Sequence, residues 1–368
     1  MLQPCPLKAG FFILLCCQLF QFVCMKKIIL LFLLLIVIIG IYAGWQIFGP
    51  TVKSPADKYF YIKTGASYSD VQSSLKDQQI IGSAFFFDKL AKQAGYQEKV
   101  KAGRYELKDG MSLYNLVKVL KAGRQLPVKL VINKLRTKED LAKKMGGLFE
   151  CTEADALRFL YSNDSLNKFG LDTNTAMTAI IPNTYLLNWN NSFPKLFARL
   201  KAEEEKFWNS ERQQKATAKK MTPRQVYTMA SIVEEETNKL KDKGLIASVY
   251  MNRINTGMKL EADPTVKYAM RDFGLKRILF GHLKYPSPYN TYQNTGLPPG
   301  PICTPAIETL DAVLDAPVTD YIFFVAKPGL DGYSNFAASY EEHLKYAKEY
   351  QVWLTDFLKK KQQQAQAK

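Results

Sequence analysis

Histidine and cysteine are nearly missing from most of this 368-residue sequence. The two histidines are His282 and His343, so an imidazole-based zinc site or a Ser-His-Asp triad would have to be built on one of them. Of six cysteines, four (5, 16, 17 and 24) fall in the first 24 residues, leaving Cys151 and Cys303 for the rest of the chain. That distribution contains neither a disulfide framework nor a metal-ligand spacing, and the two later cysteines read as free thiols. Acidic residues are also in deficit, 34 against 50 Lys and Arg, for a net charge of +16. An excess of cations favours an anionic polymer or membrane surface. With 47% hydrophobic and 23% charged residues, the chain can bury a core and wholesale disorder is excluded. Any chemistry falls to carboxylates, with no metal and no cofactor expected.

One long apolar run stands out. Ile28 to Phe48 carries no charge over 21 residues, enough to span about 30 Å as a helix and cross a bilayer. Lys26 and Lys27 precede it and Trp45 lies near its far end, so the positive-inside rule puts the N-terminus in the cytoplasm and everything after Pro50 outside. A cleaved signal peptide is the alternative, but the run exceeds an ordinary signal core and no small-x-small cleavage site follows it. Upstream, Phe11 to Cys24 is apolar but short. MKKIILLF from Met25 reads as the start of a membrane-targeted protein, making residues 1–24 an upstream extension.

The fold class expected is α+β: an N-terminal transmembrane helix (25–49), a linker (50–57), a small LysM-like α/β module (58–134), a helical connecting region (135–221), a mixed α+β catalytic domain (222–358) and a frayed polar tail (359–368). In the module, Tyr59–Ile62 is strand-like, Thr64-Gly65 a turn and Ser69 a cap for a helix carrying Val71 and Leu75. The rhythm repeats with a strand over 101–107, a turn at 108–110 and Ser112 capping a helix with Leu113, Leu116, Val117 and Leu120. A generic α/β subdomain that only orients the rest is the alternative to a glycan-binding module. Lys138 to Trp208 reads as mainly helical, broken by a loop at Pro182-Asn183, with Lys201–Lys206 as a solvated helix face.

Thr222-Pro223 is a strong helix start, a capping hydroxyl followed by Pro at the first helical position. The helix is expected to run to Leu240, with Val226, Met229, Ala230, Val233, Thr237 and Leu240 on its buried face, widened by Ile232. Glu234, Glu235 and Glu236 then point in three directions. Glu235 lies opposite the apolar stripe, Glu234 at its edge, and Glu236 inside the apolar arc. Glu236 is therefore the carboxyl expected to be desolvated, and a desolvated carboxyl holds its proton and can act as a general acid. An exposed acidic run at a helix end is the alternative on composition alone.

The blocks that follow decide between these. Ala230 to Thr237 (ASIVEEET), Val249 to Arg253 (VYMNR), Gly257 to Val266 (GMKLEADPTV), Ser287 to Tyr292 (SPYNTY), Thr295 to Ile302 (TGLPPGPI) and Tyr321 to Ala326 (YIFFVA) form an ordered set that resembles the MltG/YceG-like endolytic murein transglycosylases. The resemblance implies a single-pass protein of the inner (cytoplasmic) membrane whose outer domain cuts peptidoglycan glycan strands internally, between N-acetylmuramic acid and N-acetylglucosamine, leaving 1,6-anhydromuramic ends. Glu236-Thr237 is similar to the Glu-Ser pair of other lytic transglycosylases, which makes Glu236 the catalytic candidate and Glu234 the second choice. Such an enzyme needs no second carboxylate, because the sugar's own 6-hydroxyl is the nucleophile.

Tyr289, Asn290, Thr291 and Tyr292 are candidates for the glycan groove, with a packed Pro-rich loop as the alternative. Asp263 and Thr265 either contact substrate or belong to a turn capping a helix from about Val266. Asn252 either orients the acid or holds a loop. Two departures from the family pattern stand out: the stretch 177–185 reads Pro-Asn-Thr without an acidic-glycine pair, and a Gly-His-x-Phe pattern appears as Gly332-Tyr333-Ser334-Asn335-Phe336. Cell-wall synthases are possible partners. The competing function is a noncatalytic murein-binding scaffold for those synthases; with the charge outside the membrane and no base-reading motif, nucleic acid is not a partner.

Overall fold

The computed structural model describes residues 25–364 in full and, in addition, the helical backbone of 7–24 and 365–366. The proposed upstream extension, residues 1–24, lies outside the fully described residues. Two compact units divide at Pro127.

The first unit begins with α1 (Leu7–Phe48). Its segment Met25–Phe48 is the one helix among the described residues long and apolar enough to cross a membrane. From Ile28 to Ile39 its large apolar side chains are exposed in every direction, as expected of a helix whose partner is lipid. There follow β1 (Tyr59–Ile62), α2 (Tyr68–Asp77), α3 (Ala84–Gln93), β2 (Gly103–Glu106) and α4 (Leu113–Ala122). β1 and β2 pair antiparallel, Tyr59 opposite Glu106 and Ile62 opposite Gly103. The cap of α2 is Ser67, not Ser69, because Ser67 has Asp70 three residues on and the two close a capping box. Ser112 caps α4, and Leu113, Leu116, Val117 and Leu120 face inward as the spacing requires. Phe60, Ile62, Leu75, Phe87, Tyr96 and Tyr105 fill the core. α3 is hidden in the sequence because three successive phenylalanines blur the period: Phe87 is buried while Phe85 is exposed.

The module ends at Pro127, not at 134, since β3 (Val128–Val131) pairs antiparallel with β4 (Thr184–Leu187) in the second unit. Between these strands lie α5 (Lys138–Leu148), α6 (Glu153–Leu160) and α7 (Asn163–Asn167); α8 (Phe193–Phe207) and α9 (Ser210–Ala218) follow. The connecting region thus contains a strand pair. Its core gathers Leu130, Leu141, Phe159, Phe193, Leu196 and Phe197. Glu204 in the 201–206 stretch is buried against Lys201 rather than solvated.

A second core in this unit is organised around α10 (Pro223–Glu236), on which α11 (Leu240–Asn255), α12 (Asp263–Met270) and α13 (Ile307–Leu314) pack. Every residue of α10 from Val226 to Val233 is buried, so this helix has protein on all sides through its middle. An antiparallel hairpin, β5 (Phe323–Ala326) and β6 (Ser334–Ala337), and α14 (Tyr340–Gln366) complete the chain. α14 continues to Gln366, into the tail expected to fray. Cys151 and Cys303 are free and buried.

The Pro-Pro-Gly turn after α12 is pressed onto the 172–175 loop. A Cβ at Gly300 would stand 2.0 Å from the Asn174 carbonyl oxygen, a backbone atom that cannot rotate away. Gly300→Ala is expected to lower unfolding free energy by about 1–3 kcal/mol, read as a reduced urea midpoint with an unchanged m-value.

Candidate active site

The site forms where α10 stops. Thr222 and Gln225 close a capping box at its start, with Pro223 in the first turn. At the other end Glu236 is the last helical residue and Thr237 is extended, φ −148°. The helix therefore ends four residues before the Leu240 expected from the sequence. Thr237 Oγ1 accepts the Lys239 N–H at 3.0 Å, a local side-chain to backbone bond of the kind that competes with helix.

Glu236 is only partly exposed. Its Oε1 accepts a 2.6 Å hydrogen bond from the Tyr250 hydroxyl on α11. Burial pushes its carboxyl up to about 7; the Tyr250 bond opposes this, the Asp263 charge adds to it, and Lys267 and Arg253 pull the other way. The negative end of the α10 dipole also disfavours a carboxylate here. Burial, reinforced by the neighbouring carboxyl, likewise drives the Tyr250 phenol well above its ordinary value, so Tyr250 stays a donor.

The other two glutamates are engaged differently. Glu234 Oε2 accepts from Lys243 Nζ at 3.0 Å and from Thr309 Oγ1, while Lys243 also donates to Thr309 Oγ1 at 2.7 Å. The Lys243 and Glu234 side chains are 8% and 12% exposed, so this is a buried ion pair. Glu235, expected in solvent, is held between Lys134 at 3.0 Å and Arg136 at 3.1 Å. Burial works against its charge, but the bonds from Arg136 and Lys134 outweigh it and leave the carboxyl below its usual range. The carboxyl whose azimuth falls inside the apolar arc thus has a raised pKa.

α12 begins at Asp263, not near Val266, with Ala262 as its N-cap. Asp263 is exposed and accepts from the Tyr292 hydroxyl at 2.8 Å, and both groups are near enough to Glu236 to interact with its charge. Thr265, Asn290 and Thr291 do not reach the surface: all three are no more than 1% exposed. Thr265 and Thr291 hydroxyls bond each other at 2.9 Å, and Thr291 Oγ1 accepts the Ala262 N–H. Asn290 donates to the carbonyls of Leu283 and Tyr285. These three tie the 283–292 loop to the start of α12 and position Asp263 and Tyr292, because a buried hydroxyl or amide must find partners within the protein. Tyr289 is half-buried against Tyr268, ring centroids 4.8 Å apart. Both donors of the Asn252 amide go to backbone carbonyls, Thr319 at 2.8 Å and Tyr321 at 2.9 Å, so it holds a loop. His343 stacks on Phe323.

Sequence reasoning missed Tyr250, Lys243 and Lys267. A signal for Tyr250 was available: it shares the buried face of α11 with Ile246 and Ala247, and a phenol on such a face needs an acceptor. Removing Lys243 would leave the Glu234 charge with only Lys134 at 4.0 Å and the Thr309 hydroxyl. Lys243→Met is expected to destabilise the protein by about 3–5 kcal/mol, measured by chemical denaturation, with the double variant Lys243→Met/Glu234→Gln recovering part of the loss.

A family model described as the YceG-like family matches residues 60–349. The chain is similar to the endolytic murein transglycosylase of Bacillus subtilis (strain 168), 27% identical over 331 residues, covering 84% of this chain and 91% of that protein. It is also 27% identical over 317 residues to the endolytic murein transglycosylase of Streptococcus pneumoniae serotype 2, covering 77% of this chain and 56% of the streptococcal protein. Among solved structures, a YceG-like protein from Listeria monocytogenes superposes with a TM-score of 0.52 at 28% identity, covering 79% of this chain and 99% of that one. Because the family match takes in most of the sequence, including every residue of the Glu236 cluster, the chain belongs to the YceG-like family.

Proposed function

We propose that this protein is a membrane-anchored peptidoglycan lytic transglycosylase that cleaves strands internally, with Glu236 as the acid and then the base. The observation that carries this reading is a carboxyl held near pKa 7 by burial at the end of α10, in a family whose relatives are named for that activity. Protonated Glu236 gives its proton to the glycosidic oxygen as the bond from muramic C1 breaks. The 6-hydroxyl of the same sugar attacks C1, and its proton passes to the Glu236 carboxylate, which restores the acid. The nucleophile is tethered within the substrate, so proximity supplies part of the rate. Tyr250 orients the carboxyl and Asp263 favours its protonated form; the Asp263 charge also suits the positive character that develops at C1.

In this reading α1 is the anchor, with the N-terminus cytoplasmic and both folded units outside the inner membrane. The β1–β2 module is a second, LysM-like murein contact. Tyr292 and Tyr289 offer aromatic faces to the sugars, and no cofactor takes part.

Asp263 beside Glu236 gives one specific ground for a second reading, hydrolysis with Asp263 activating water. The two differ in product, since hydrolysis leaves a reducing end one water heavier. Mass spectrometry of digested murein is expected to show 1,6-anhydromuramic ends from the wild type, with the rate falling as pH rises above about 7 and the acid is lost. Glu236→Gln is expected to lower the rate at least about a hundredfold without unfolding the protein. Reducing ends would favour hydrolysis, and an active Glu236→Gln would remove Glu236 from the mechanism.

A further inference from the structure

A cavity of about 500 Å³ lies on the Glu234 side of α10, within the second unit. It is lined by Asn133, Lys134, Asn183, Glu234, Thr304 and Glu308. Its volume falls within the roughly 300–1,000 Å³ range of small-ligand sites. We infer that this cavity is a distal subsite for N-acetylated sugars of the strand cut at Glu236. The inference rests on the transglycosylase reading and extends it to how a long strand is held.

The lining chemistry selects the ligand. Glu234 is already paired with Lys243 and Glu308 shares the lining with Lys134, which leaves no excess of cations, so a polyanion such as a nucleotide is disfavoured. A wholly apolar ligand would leave these polar groups unpaired. A neutral, hydroxyl-rich sugar uses both kinds of partner. Carboxylates accept its hydroxyl protons, and amide N–H groups and the Lys134 ammonium donate to its oxygens. Asn183 Oδ1 already accepts the Thr184 N–H at 2.7 Å, which leaves the Asn183 amide N–H groups as donors. Ile132 and Ile307 also line the space and provide a surface for an acetyl methyl.

Position links the cavity to the acid. Lys134, on its wall, grips Glu235, and Glu235 is also held by Arg136. Arg136 and Lys267 line a smaller cavity of about 60 Å³ with Tyr268 and Phe273, and Lys267 acts on the Glu236 charge. The two sites thus flank the end of one helix, a span on the order of 10 Å, which a continuous strand bridges in a few sugar units. The Pro182-Asn183-Thr184 loop, otherwise without a role, forms one wall.

Ala306, at the N-cap of α13, lines the cavity and makes no side-chain cap bond. Ala306→Trp therefore fills the space while removing no hydrogen bond. Purified uncleaved glycan strands are titrated onto Glu236→Gln protein with and without Ala306→Trp, thermal melts confirming the fold. The inference predicts at least about tenfold weaker binding of long strands with Ala306→Trp, a loss of about 1.4 kcal/mol, and an unchanged affinity for a disaccharide. Equal long-strand affinity, or an equal loss for the disaccharide, would overturn it. Asn183→Ala, which keeps the cavity open, is expected to weaken long-strand binding in the same direction; no effect there counts against the assignment. Binding is read without turnover. Loss of binding beside a wild type that makes no anhydro ends would defeat the transglycosylase reading alone, and intact binding beside normal anhydro products would defeat the subsite alone.

Discussion

The architecture of the second unit turns on a carboxyl placed where it is costly to ionise. Glu236 ends a helix buried from Val226 to Val233, with a phenol as its hydrogen-bond partner and another carboxylate close enough to oppose its charge. The helix stops at that residue, so its carboxyl stands at the negative end of the α10 dipole as well. Had α10 continued to Leu240, Thr237 and Leu240 would have extended the buried stripe and the backbone turn that opens toward Asp263 would be lost. The break is local in origin: Thr237 and Asn238 are residues whose short polar side chains bond backbone better outside a helix than inside one.

The neighbouring glutamates meet the opposite condition. Glu234 and Glu235 are also partly withdrawn from water, but each has a cation within 3.0 Å. Glu236, by contrast, is pushed up by burial with a phenol as its hydrogen-bond partner, while Glu235 is held below its usual range by Arg136 and Lys134. The ion pairs also fix the helix end. Lys243 fastens it to α11, Thr309 to α13, and Lys134 and Arg136 to the segment after β3. In the proposed role, a carboxyl that reaches a single oxygen in a bound polymer benefits from such a mounting, because loss of alignment is lost rate.

Much of this was legible in the sequence because it depends on short-range patterns. The Thr222-Pro223 start of α10, the inward face of α4 and the azimuth of Glu236 follow from helical geometry and capping chemistry. The partners of the glutamates were not legible. Lys134 and Arg136 lie about a hundred residues upstream, and no local period links them to Glu235. In the 287–292 loop the sequence left two readings open for a related reason: Asn290 and Thr291 have the composition of a sugar-binding surface, yet the same hydrogen-bonding capacity satisfies buried backbone, and only tertiary placement separates the two uses. Strands β3 and β4 escaped notice because four residues carry almost no periodic signal and, unlike β1 and β2, neither is followed by a Gly turn that marks its end. Family resemblance, borne by blocks between 230 and 326, pointed correctly to the YceG-like family where these contacts could not be read.

The direct test of the account is the ionisation of Glu236 itself. Carboxyl resonances of the 13C-Glu-labelled protein, assigned by comparison with Glu236→Gln, should show one glutamate titrating near pH 7 that vanishes in the variant. A Glu236 titrating near 4.5, the ordinary value for the side chain, would mean that burial does not hold the proton, and the acid-base role built on it would fail.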